Sequence, residues 1–250
     1  TLIGVPILGF YFWVTNQYIV QRVLGAKSVD HARWGALLGG LLKLPVLFIM
    51  VLPGLAAKLI FPDVPVGDAV FPTLVTQLLP VGVIGLVMAG LIAAIMSSID
   101  STLNSASALV TLDFVKPRNP EMSETEVAKV GRITMAIIMV FAAFWAPQIA
   151  NFGGLFKYLQ EMLAFMVPPV TVLFLFGAFK RGGTGKSALA TLIGGHGVSV
   201  LLFLSMQTGA ISKIHFTLVA GIVFAVSAVI YIITQGWGTA RPDSEVADLM

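Results

Sequence analysis

The chain has 250 residues, 57% of them hydrophobic and only 11% charged, with a mean hydropathy of +0.94 and a formal net charge of +3. Soluble globular domains carry about 25% charged residues, so a water-soluble fold is excluded. The lack of cysteine rules out disulfides and thiolate–metal sites, and no basic cluster carries the interleaved aromatics that nucleic-acid binding needs.

Apolar runs long enough to cross a bilayer need about 20 residues. Seven are predicted, at 2–21, 35–58, 81–112, 130–150, 154–178, 187–207 and 214–235. The fold class is therefore an all-α, multi-pass membrane protein embedded in a lipid bilayer.

The first span holds Gly4, Pro6 and Gly9, followed by Tyr11-Phe12-Trp13-Val14-Thr15-Asn16-Gln17-Tyr18. Glycine and proline permit a break, and backbone freed by a break is tolerated at membrane depth only around a cavity. Aromatics beside amides suit a sugar, with its apolar ring faces and hydroxyl rim. They equally suit an interfacial aromatic belt.

The second span contains Lys43, eight residues past Gly35. That is roughly 12 Å into a hydrocarbon core about 30 Å thick. A lysine at that depth is either a structural cation paired to a carboxylate or helix carbonyls, or a donor to a polar solute in a wet cavity. Residues 59–80 read as an external loop with a short helix near 70–79.

The third span carries the most informative stretch, Ser97-Ser98-Ile99-Asp100-Ser101-Thr102-Leu103-Asn104-Ser105. Helical spacing puts Ser97, Asp100, Ser101 and Asn104 on one face. An acid at the centre of a membrane helix costs roughly 2.5–3.5 kcal/mol. Such a stripe belongs to a bundle interior or a water-filled pathway for an ion or solute.

A polar link is predicted at 113–129, with Ser123-x-x-Glu126 as a capping box opening the fourth span. Pro168-Pro169 in the fifth span predicts a kink. Gly182-Gly183-Thr184-Gly185-Lys186-Ser187 imitates a phosphate loop, but the first glycine of that motif would fall on Lys180, and the stretch joins two membrane spans. It reads as a turn. His31, His196 and His215 are scattered and form no metal constellation. From Trp237 the chain turns polar and is expected to be loosely ordered.

Lysines and arginines cluster in alternate connections. Arg22, Lys27, Arg33, Lys116, Arg118, Lys129, Arg132, Lys180, Arg181, Lys186 and Arg241 fall on one side, against Lys58, Lys157 and Lys213 on the other. The positive-inside rule places the first residue outside and the C-terminus in the cytoplasm, in a plasma (inner) membrane. The start at Thr1, without an initiator Met or a basic leader, reads as a fragment.

Together, Tyr11-Phe12-Trp13-x-x-Asn16-Gln17-Tyr18-Ile19-Val20-Gln21-Arg22, Ala26-Lys27-Ser28, Lys43, Pro53-Gly54 and Ser97-Ser98 through Asn104-Ser105 resemble the sodium:solute symporter family. Within it they resemble the sodium/glucose and sodium/galactose branch. The likeness runs in one consistent order from about residue 9 to at least residue 178. It implies a LeuT-type fold, in which two inverted five-helix repeats hold substrate and ion near the midplane. On that basis 1–178 is the second repeat, 179–235 two accessory helices and 236–250 a cytoplasmic tail, with the first repeat absent.

The resemblance also implies site residues. The Ser97 and Ser98 hydroxyls and the Ala94 carbonyl match sodium ligands, with the other oxygens of a hard cation's shell coming from the missing repeat; alternatively, the two serines only bond back to carbonyls in the preceding turn. Lys43 and Gln160 match sugar contacts, while Asn16, Tyr18 and Trp13 match positions supporting the site. Two positions depart from the branch: Phe12 stands where the aromatic closing the pocket is typically Tyr, and Gly9 stands where the galactose transporter has Asn. Both leave room for inositol or another polyol.

Asp100 matches no ligand position. It lies roughly 28 Å from Val81 along the helix, and is either an exit-path carboxylate for Na⁺ or a structural acid bonded to Asn104 or a backbone donor. The implied function is Na⁺-coupled symport of a sugar-like small molecule by alternating access. No nucleophile–base pair supports enzymatic chemistry. The alternatives are a symporter of another solute (inositol, sialic acid or an amino acid) or the membrane domain of a sensory receptor.

Overall fold

The computed structural model describes residues 2–63, 67–179 and 183–238, and among them there is no strand. Six helical stretches are long and apolar enough to cross a membrane: Val29–Ile60, Val81–Arg118, Glu124–Ile149, Leu155–Phe179, Gly185–Gln207 and Phe216–Thr234. The seventh predicted span, 2–21, is not one continuous helix. It comprises α1 (Gly4–Phe10), a π-helical turn at Tyr11–Thr15, an extended Asn16 (φ −71°, ψ 112°) and α2 (Gln17–Leu24).

The break falls later than Gly4, Pro6 and Gly9 suggested. Gly4 serves packing instead, because a Cβ there would collide with the main chain of Thr217. The ladder is lost where the Asn16 N–H reaches back five residues to the Tyr11 carbonyl at 2.9 Å, which also accepts from Thr15 Oγ1 at 3.0 Å. A π turn of this kind widens the helix and often marks a functional segment.

The second span starts earlier than predicted. Ser28 caps α3 (Val29–Leu41), accepting from the His31 N–H at 3.3 Å. The span is interrupted at Leu42, before α4 (Lys43–Ile60). Pro45 accounts for this, since it has no N–H to give to the Leu41 carbonyl one turn back.

The loop helix expected near 70–79 is α5 (Gly67–Leu78); Pro65 lies outside the described residues. The third span is α6 (Val81–Ala108), continued by a π-helical segment, Leu109–Val115, and a single turn to Arg118. The polar link is thus shorter than 113–129. Ser123 and Glu126 do form the capping box that opens α7 (Glu124–Trp145): the Ser123 N–H donates to Glu126 Oε2 at 2.9 Å, and the Glu126 N–H to Ser123 Oγ at 3.4 Å.

The last three spans are α8 (Leu155–Phe179), α9 (Gly185–Gln207) and α10 (Phe216–Thr234). Pro168 and Pro169 are buried within α8, and the helix continues through them. Thr184 and Ser187 form a second capping box that opens α9, so Gly185-Lys186-Ser187 begins a helix. Gly182 and the tail from residue 239 onward lie outside the described residues.

The chain packs as two units. One comprises residues up to 19 together with those from 156 on; the other comprises 20–155. In the first, Ala164 and Phe165 of α8 form a core with Val219, Ala220 and Val223 of α10, and Phe165 meets Phe203 edge-on at 5.5 Å. The buried face of α9 is Ser187, Thr191, Gly195 and Ser199, a small residue every fourth position, the pattern that lets membrane helices approach closely. In the second unit, α6 and α7 meet where Ser107 Oγ donates to the Gly131 carbonyl at 2.8 Å. There too, the Leu155 N–H donates to the Asp68 carboxylate of α5 at 2.8 Å.

Candidate functional site

No proline interrupts α6 after Pro80, and the apolar sequence from Val81 to Met96 carries an unbroken helix into the polar stretch. Serines and threonines in an apolar helix give their hydroxyl proton to the carbonyl one turn back, and here three serines and a threonine do so. Ser98 Oγ donates to the Ala94 carbonyl at 3.0 Å, Ser101 Oγ to Ser97 at 2.9 Å, Thr102 Oγ1 to Ser98 at 2.8 Å and Ser105 Oγ to Ser101 at 2.8 Å.

These bonds line the C-terminal half of α6 with paired oxygens. Ala94 O and Ser98 Oγ, two of the three sodium-ligand positions implied by the sequence, are therefore neighbours, close enough to share one hard cation. Ser97 Oγ, the third, has no hydrogen bond among the described residues. Ala94, Ser97, Ser98 and Asp100 are all exposed. The Asp100 carboxylate makes no hydrogen bond or ion pair among the described residues, with Asn104 or any backbone donor. Lys43 is exposed too, as the first residue of α4 at the Leu42 interruption.

The same stripe is tied to the end of the broken first segment. Arg22 Nη2 donates to Ser101 Oγ at 2.5 Å, and Ser105 Oγ lies 3.1 Å from Gln21 Oε1. Sequence reasoning used Arg22 as a topological charge and as part of the family motif, and missed this connection. Its partners are 79 and 84 residues away, and no periodicity links positions so distant.

In the other unit, the π turn brings three aromatics together. Phe12 meets Trp13 edge-on at 5.7 Å (83° between planes) and Tyr18 at 6.3 Å (79°). Edge-to-face contacts fix ring orientation and leave Trp13 40% exposed. Nothing lies within 4 Å of the point where a Cβ on Gly9 would sit, so a side chain's worth of space is open one turn before this cluster. Gln160 is half-buried in the second turn of α8 and makes no hydrogen bond among the described residues. On the same turn Lys157 and Glu161 form an i,i+4 ion pair at 3.9 Å.

The three histidines act locally. His31 contacts Ser28 Oγ, His196 Nδ1 sits 2.8 Å from the Leu192 carbonyl, and His215 caps α10 at Thr217. Among the described residues no cluster of three His, Asp or Glu could hold a metal ion.

The profile of the sodium:solute symporter family matches residues 2–195. Human sodium/myo-inositol cotransporter 2 is 35% identical over 98% of this chain and 41% of its own length. Human sodium/glucose cotransporter 4 is 31% identical over 99% of this chain and 41% of its own length, and its zebrafish (Danio rerio) counterpart 36% identical over 71% of this chain and 30% of its own. The chain thus spans about two fifths of the length of the curated relatives it matches.

Proposed function

The chain belongs to the sodium:solute symporter family, and from that premise we propose that it is part of a secondary active transporter. In this reading the inward Na⁺ gradient drives uptake of a sugar or cyclic polyol by alternating access. Residues 1–178 form the second five-helix repeat, 179–235 two accessory helices and 236–250 a cytoplasmic tail, in a plasma membrane with residue 1 outside. The observation that carries the proposal is the oxygen-lined C-terminal half of α6, where the Ala94 carbonyl and Ser98 hydroxyl stand 3.0 Å apart beside the unbonded Ser97 hydroxyl.

Each assigned group has a chemical reason. Neutral hydroxyl and carbonyl oxygens suit a hard monovalent cation. Lys43 donates and Gln160 both donates and accepts, which matches a ring of hydroxyls. The Phe12–Trp13–Tyr18 cluster offers ring faces and edges to a saturated ring. Asp100, further toward the cytoplasm, draws the released cation inward. Coupling is then a linkage effect: Na⁺ at Ser97 and Ser98 favours the arrangement that binds solute.

Two observations favour a cyclic polyol over galactose. The space beside Gly9 lacks the amide that the galactose transporter has there, and one of the three relatives above is named for myo-inositol. The test is uptake of labelled glucose, galactose and myo-inositol into proteoliposomes holding the full-length protein, with and without a sodium gradient. Uptake of at least one that rises with the gradient is expected. Uptake indifferent to sodium overturns the proposal.

A further inference from the structure

We propose that Arg22 and Ser101 form a latch between α2 and α6 that competes with the cation at Ser97 and Ser98, so that closing the latch favours ion release. The inference rests on the assignment of sodium to that turn of α6.

The bonding has a direction. The Ser101 hydroxyl gives its single proton to the Ser97 carbonyl at 2.9 Å, which leaves its lone pairs for the Arg22 guanidinium at 2.5 Å. A hydrogen bond from a charged donor is roughly twice as strong as a neutral one, and it polarises the bond that follows it in a chain. Arg22 therefore acts through Ser101 on the Ser97 carbonyl. Alongside, Ser105 Oγ reaches both the Ser101 carbonyl at 2.8 Å and Gln21 Oε1 at 3.1 Å. Adjacent residues of α2 thus grip positions one turn apart on α6, which fixes the register of the two helices.

The opposition to the cation follows from charge. Ser97 and Ser101 are one helical turn apart, about 6 Å along the axis, so a cation at Ser97–Ser98 faces a guanidinium of the same sign at short range. Like charges repel over that distance. Occupying one site therefore weakens the other, and the effect is reciprocal. Arg22 is a positioning residue in this scheme; it touches neither ion nor solute.

The test has two arms on the full-length protein. In proteoliposomes, Arg22→Gln should lower the sodium concentration for half-maximal uptake about fivefold, at the low end of allosteric couplings, and also reduce maximal rate. Arg22→Lys should restore the wild-type sodium response. Ser101→Ala should reproduce the Arg22→Gln shift, and the double variant should add nothing further. Half-saturation unchanged in both single variants, or strictly additive shifts, overturns the latch.

The second arm needs no solute. Cysteines placed by Gln21→Cys and Ser105→Cys, in a chain that has no cysteine of its own, should cross-link more readily in potassium than in sodium at equal ionic strength. Equal cross-linking overturns the proposal while uptake remains sodium-driven. If wild-type uptake ignores sodium, the function proposed above fails and the cross-linking arm alone decides the latch.

Discussion

Serine lies on a buried helix face in one unit, while in the other Ser97 and Ser98 lie on an open face of α6, whose Ser105 and Ser107 are buried. In α9, Ser187, Thr191 and Ser199 are buried with Gly195 on a single stripe, and each hydroxyl bonds within its own helix or cap. In α6, Ser97 and Ser98 sit on a surface nothing in their unit covers. The contrast extends to whole helices. The most apolar windows of α8, α9 and α10 are 39%, 17% and 33% buried, while those of the three long spans within 20–155 are not buried at all. Small hydroxyls in the first unit let helices approach, as membrane interfaces require. Hydroxyls on the open face of the second are not packed within their unit, and the role proposed for them is the ion site.

The sharpest way to break that contrast is to delete hydroxyls on the open face. Ser97→Ala combined with Ser98→Ala should cut sodium-driven uptake about a hundredfold, equivalent to about 2.7 kcal/mol. Melting of the purified protein in detergent should stay within about 2 °C of wild type, because surface changes away from structural features cost at most about 0.5 kcal/mol. A large fall in melting temperature would place these serines with those of α9 and remove the distinction.

The converse change belongs in α9. A Cβ on Gly195 would meet Pro169 Cγ at 2.8 Å, between α8, α9 and α10. Gly195→Val should therefore destabilise by about 1–3 kcal/mol, the usual cost of overpacking. At about 2–4 °C per kcal/mol for a chain of this size, a thermal-shift assay resolves it. The sodium concentration for half-maximal uptake by the folded fraction should not move. If it does, the two units do not divide stability from ion binding as their packing indicates.

A smaller effect tests how the second unit is braced. The Asp68 carboxylate accepts the Leu155 N–H at the start of α8, beside Gly154 in a positive-φ conformation (φ +123°). Asp68→Ala should cost about 0.5–2 kcal/mol, as loss of a side-chain cap does. It should also speed hydrogen exchange at residues 155–158 above that of the middle of α8. Unchanged exchange there would show that the carboxylate does not hold the helix start.

Hydropathy located the long spans because twenty apolar residues have few other ways to fold, and Ser123 and Glu126 announced α7 because a capping box is complete within four residues. The break in the first segment was anticipated but misplaced: Gly4 is small to admit Thr217, while the ladder fails at Asn16, whose own sequence carries no breaker. Pro45 did encode the interruption at Leu42, and apolar periodicity masked it. The polar stripe of α6 was legible as a costly pattern. Its ties to Gln21 and Arg22 were not, because contacts across some eighty residues depend on how helices pack, which local spacing does not contain.

The smallest predicted effect is the most discriminating for the packed unit. Ser227 Oγ is fully buried and has no hydrogen-bond partner among the described residues, and it stands 2.5 Å from where a Cβ on Gly195 would sit. An unsatisfied buried hydroxyl contributes no bond to lose, so Ser227→Ala should be neutral or stabilising by up to about 1 kcal/mol. It also vacates part of the volume that Gly195→Val overfills. The double variant should then melt higher than Gly195→Val alone by more than Ser227→Ala adds to wild type, a non-additivity expected only of residues in contact. Strict additivity would mean that Gly195 is small for Pro169 alone, and that α9 and α10 do not close on each other through this pair.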